Sequence, residues 1–80
     1  MDLIEREIAA IVAEVAELDP SVLVPGARLS EVEVDSLNMV EIAVDIERRF
    51  GIRFEEEELI GIETVERLAE LARDRGATVA

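Results

Sequence analysis

Between Leu3 and Leu18 the residues Ile4, Ile8, Ile11, Val12, Val15 and Leu18 recur at the three-and-four spacing of one helical face, while Glu5, Glu7, Glu14 and Glu17 fall mostly elsewhere. That periodicity constrains the chain more than any other feature, because it demands an amphipathic helix with an apolar stripe to bury. Asp2, with Glu5 three residues on, offers a capping box at its start. Asp19-Pro20 ends it, since a residue before proline is driven out of the α region.

The same spacing returns downstream. Ile42, Ile46 and Phe50 step by four along one stripe, Leu37, Val40 and Val44 form a neighbouring stripe, and Gly51 stands where a left-handed residue closes a helix. Two apolar stripes on one helix mean deep burial or a partner for the second. Ile52 and Phe54 then alternate in an extended link. Glu55 to Glu58 precede Leu59-Ile60, so a short third helix is expected, its acids favoured at the positive end and forming a solvated face. Thr64 caps a last helix with Val65, Leu68, Ala69, Leu71 and Ala72 facing inward, Gly76 ends it, and residues 77–80 follow as a frayed end.

Residues 19–34 hold two prolines, Gly26 and no sustained period, and read as a long connection. Leu23, Val24, Leu29 and Val32 are its candidate anchors, and residues 28–32 a candidate helical turn. The whole predicts one domain, 1–80, an all-α four-helix bundle with helices at about 3–18, 36–50, 56–60 and 65–74, a long first loop and a short third helix.

Composition narrows function. A net charge of -12 repels nucleic acid and anionic lipid and favours basic protein surfaces. With no cysteine and no histidine, thiolate nucleophiles, histidine acid–base catalysis, disulfides and the usual zinc sites are excluded, and no calcium-loop spacing is present. No metal site and no catalytic set are expected. The start of the chain lacks a signal-peptide pattern, and the longest apolar run, residues 8–13, is too short to span a bilayer. A cytoplasmic, monomeric protein is expected, and Met1 with the short tail favours a freestanding one.

The candidate site lies at Asp35-Ser36. Asp35 has the side-chain oxygen an N-cap needs, and Val34 and Met39 occupy the two ends of a hydrophobic staple. Ser36 then falls on the first turn, beside backbone N–H groups without intrahelical partners and the positive end of the macrodipole. Such an end favours phosphate, so an exposed serine there suits a phosphodiester.

Asp35-Ser36-Leu37, followed by Val40-Glu41, Ile46-Glu47, Phe50-Gly51-Ile52, and later Thr64-Val65 with Leu68-Ala69, resembles the acyl carrier protein family over residues 29–71. The resemblance implies that Ser36 bears 4′-phosphopantetheine, donated by coenzyme A through a magnesium-dependent phosphopantetheinyl transferase. The arm's thiol holds acyl groups as thioesters in fatty acid or polyketide biosynthesis. Asp35 would cap the helix and face the transferase. Leu37, Val40, Glu41, Val44 and Glu47 would meet partner enzymes with basic surfaces, of acyltransferase, ketosynthase or acyl-ligase type. Ile46, Phe54, Leu59 and Ile62 would shelter the acyl chain. The protein is then a shuttle for enzymes and not itself one.

Three departures stand out: the family commonly has glycine at the position of Glu33, and many members are acidic at Asn38 and Arg48. Two other readings compete, a peptidyl or aminoacyl carrier of a nonribosomal pathway and an unmodified acidic helical adaptor. Val34 and the charge favour the acyl carrier over the peptidyl one.

Overall fold

In the computed structural model, which describes residues 2–24 and 26–79, Asp2 opens the first helix by accepting the Glu5 N–H at 2.9 Å. Pro25 of the expected loop and Ala80 of the expected frayed end lie outside the described residues. Helix α1 runs Leu3–Ala16, two residues short of its apolar pattern. Glu17 turns left-handed at φ 55°, and the Leu18 N–H reaches back to the Ala13 carbonyl at 2.8 Å. This is a Schellman closure, in which the residue after the turn folds back onto the helix. Leu18 is therefore partly buried against the core from outside the helix, which is why the apolar period overruns the helix itself.

The first loop is built from two short 3₁₀ turns, Pro20–Val22 and Leu29–Val32. Leu23 and Leu29 are buried and Val32 partly so, whereas Val24 is exposed and anchors nothing. The loop is also strapped across the bundle by polar contacts. The Leu29 N–H donates to the Glu63 carbonyl at 2.7 Å, the Gly26 N–H to the Glu66 carboxylate at 2.8 Å, and the Arg28 guanidinium pairs with Glu63 at 2.5 Å. That last bond holds the Arg28 pKa above its usual value.

Helix α2 spans Ser36–Phe50, α3 only Glu56–Leu59, and α4 Val65–Asp74. Gly51 at φ 66° closes α2, and Thr64 Oγ1 caps α4 by accepting the Arg67 N–H at 3.2 Å. The core consists of Ile8 and Val12 from α1, Ile42 and Ile46 from α2, and Val65 and Leu68 from α4, all sealed from solvent, with α1 packed on both α2 and α4. Ala77 is docked in this core with its N–H on the Ala72 carbonyl at 2.9 Å, so the chain stays packed past α4 where fraying was expected. The architecture is the small all-α bundle, with a long first loop and a short third helix, that the periodicity predicts.

Candidate functional site: the start of α2 and the groove beside α3

The approach to α2 is set by Glu33, which is left-handed at φ 66° and sends its N–H to the Leu29 and Ser30 carbonyls. A left-handed turn is where glycine sits most easily, so glutamate adopts it at a cost of about 1 kcal/mol. Val34 is then turned into the core, and Asp35 and Ser36 emerge at the surface. Asp35 Oδ1 accepts the Asn38 N–H at 2.8 Å, and Asn38 Oδ1 accepts the Asp35 N–H at 3.2 Å. A reciprocal capping box thus fixes the first turn, with asparagine in the role that glutamate or glutamine usually takes. Met39, at the far end of the staple from Val34, is partly buried against the same core.

Ser36 is the first residue of α2 and is exposed. It also lies at the mouth of an open groove of about 560 Å³ between α2 and α3, walled by Met39, Val40, Leu59 and Ile60 and rimmed by Glu56 and Glu57. The chain has two other serines, Ser21 and Ser30, both exposed, and neither lines this groove. A solvent-facing hydroxyl on the positive end of a 15-residue helix, beside an apolar trough, fits a phosphodiester-linked arm.

The second stripe of α2 faces solvent: Leu37 is 68 % exposed, Val40 58 % and Val44 36 %. Glu41 is exposed among them. Glu47 differs, because its Oε2 accepts the Phe54 N–H at 2.9 Å and so ties the link between α2 and α3. Of the four residues expected to shelter an acyl chain, only Leu59 lines the groove. Ile46 is fully enclosed in the core, and Phe54 and Ile62 are partly buried against it.

Three residues of the site were missed from the sequence: Asn38 as a capping partner, and Met39 and Ile60 as groove walls. The Asp-x-x-Asn spacing is a readable signal for the first. Nothing local marks Ile60, which is 80 % exposed because its backbone leaves α3 in an extended conformation.

Charge is unevenly placed. Ion pairs engage Arg28, Arg49, Arg67, Arg73 and Arg75. Among the described residues none of these pairs involves Asp35, Glu41, Asp45, Glu56 or Glu57, so the acids around Ser36 and along the exposed stripe are uncompensated.

The family described as Phosphopantetheine attachment site matches residues 6–72 of this chain. The meromycolate extension acyl carrier protein of Mycobacterium leprae is 41 % identical over 59 residues, which cover 72 % of this chain and 51 % of that protein. An acyl carrier protein of Rhodococcus erythropolis is 42 % identical over 60 residues, 74 % of this chain and 66 % of its own length. One from Thermosynechococcus vestitus is 32 % identical over 73 residues, 90 % of each. The chain spans about half the length of the meromycolate extension relatives it matches.

Proposed function

This chain belongs to the acyl carrier protein family, whose mark is a phosphopantetheine attachment site, and we propose that Ser36 is its point of attachment. The observation that carries this reading is the meeting, at Ser36 alone among the serines, of an exposed hydroxyl, a helix start and an apolar groove. Once attached, 4′-phosphopantetheine supplies the thiol that a chain without cysteine lacks.

The chain's own residues present and orient the serine. Asp35 and Asn38 lock the first turn, buried Val34 holds it against the core, and the positive end of α2 offsets the charge of a phosphodiester. The chain has no histidine, and the base that takes the Ser36 proton is assigned in this reading to the phosphopantetheinyl transferase. The protein thus serves enzymes as substrate and shuttle, in the cytoplasm and as a monomer, and the acyl groups it carries belong to fatty acid or related lipid assembly.

Leu37, Val40 and Val44 offer apolar knobs to partners, and Glu41 offers an uncompensated carboxylate to basic enzyme faces. Glu47 contributes chiefly by holding the link after α2. An acyl chain would lie along Met39, Val40, Leu59 and Ile60, and the sealed position of Ile46 speaks against its being a direct contact.

Incubation with coenzyme A, magnesium and a broad-specificity transferase should add the mass of one arm, and Ser36→Ala should add none while keeping the wild-type circular dichroism. An unchanged mass in the wild-type protein would overturn the reading.

A further inference from the structure

Past the exposed stripe of α2 lies a second depression of about 460 Å³, lined by Val44, Glu47, Arg48, Gly51, Ile52 and Arg53. Its charge is opposite to that of the rest of the chain. The sequence holds 20 acidic residues against 8 basic ones, yet Arg48 and Arg53 form no ion pair among the described residues, and both are exposed. Among the described residues the only carboxylate lining the depression, that of Glu47, already has one oxygen on the Phe54 N–H. The negative end of the α2 macrodipole gives a local reason for Arg48, but not for Arg53, which stands beyond the helix.

We infer that Arg48 and Arg53 form a cationic subsite for a carboxylate on the partner enzyme, and that it fixes which way round the partner lies along α2. The inference rests on the carrier reading above and deepens it. Along α2 the surface runs from acids without an ion pair at Asp35 and Glu41, past the apolar knob Val44, to Arg48, which also borders a neighbouring depression holding Glu14 and Asp45, with Arg53 just beyond the helix. A partner complementary to that gradient carries basic groups opposite the first turns and an aspartate or glutamate opposite the last. Guanidinium pairs carboxylate in a fixed bidentate geometry, which suits it to setting register. A uniformly basic partner face would instead be repelled at this end.

The sign of a charge reversal separates the two. The test uses a β-ketoacyl synthase that turns over the loaded wild-type protein, assayed at low salt with R48E/R53E and R48Q/R53Q. The subsite predicts that kcat/KM falls about tenfold for the glutamate pair and less for the glutamine pair, with kcat held. Loading of Ser36 by the transferase, read by intact mass, should stay within about twofold, which also shows that both variants fold. A kcat/KM that rises or does not change in a protein that loads normally would overturn the subsite. Failure of the wild-type protein to load would instead remove the carrier reading, and the subsite with it.

Discussion

The face where α1 meets α4 and the face where α2 meets α3 are made from the same few residue types and do opposite things. On the first, Ile8, Val12, Leu68, Ala69 and Ala72 interlock without solvent access, and Arg73 joins Asp2 and Glu5 across the seam. On the second, Leu37, Val40 and Ile60 stand in water, α3 is four residues long, and a trough remains open. Exposed ion pairs contribute about 0–1 kcal/mol each, whereas each buried branched side chain contributes about 1.5–3 kcal/mol, so apolar burial holds the closed face and the ion pairs only trim it. Stability concentrated on one face leaves the other free to keep the apolar surface and unpaired acids proposed above to meet partners.

That contrast breaks most visibly under truncation. Leu68→Ala should cost about 3 kcal/mol in urea unfolding, because it opens a cavity in a sealed core. Val40→Ala should stay within about 0.5 kcal/mol, being a surface change, and should show itself only as weaker turnover with partner enzymes. Equal losses at the two positions would mean that the α2–α3 face is as structural as the other.

A smaller effect sharpens the account of the approach to Ser36. Glu33→Gly relieves a left-handed glutamate and should raise stability by about 0.5 kcal/mol, the strain relieved being partly offset by the greater chain entropy of glycine in the unfolded state. A loss of stability would show that the Glu33 side chain has a role beyond its backbone turn.

The smallest effect lies in the first loop. Asp19 accepts a hydrogen bond from the Ser21 N–H at 2.9 Å, and this bond, with the nearby Ser21 hydroxyl, holds its carboxyl below the usual carboxylate range. A depressed carboxylate adds stability above its unfolded pKa and loses it as pH falls through the folded value. The advantage of the wild type over Asp19→Asn should therefore be present at about pH 5 and be lost as pH falls below the ordinary aspartate value of about 3.9, in urea midpoints. An advantage that grows on acidification would contradict the sign.

Much of this molecule was legible in the sequence because its helices are written in period and punctuation. The stripes of Ile4 to Leu18 and of Ile42 to Phe50 gave the long helices, and Gly51 and Thr64 are local signals that read directly. The end of α1 was misplaced because Leu18 continues the apolar period after the backbone has already turned at Glu17, where no glycine announces it. Asp35 and Ser36 were legible for the same local reason as the caps. The groove was not, since two apolar residues on neighbouring stripes, such as Ile46 and Val40, look alike until packing seals one and exposes the other. The straps from Gly26, Arg28 and Leu29 to Glu63 and Glu66 join residues 34 to 40 positions apart, beyond the reach of any periodicity.

The central claim concerns one oxygen atom, and peptide mapping of the transferase-treated protein tests it most directly. Cleavage after arginine releases residues 29–48 as one peptide holding Ser30 and Ser36, while Ser21 falls in another. The account predicts a single arm on that peptide, with fragment ions placing it on Ser36. An arm on Ser30 or Ser21, or no arm on any serine, would contradict it.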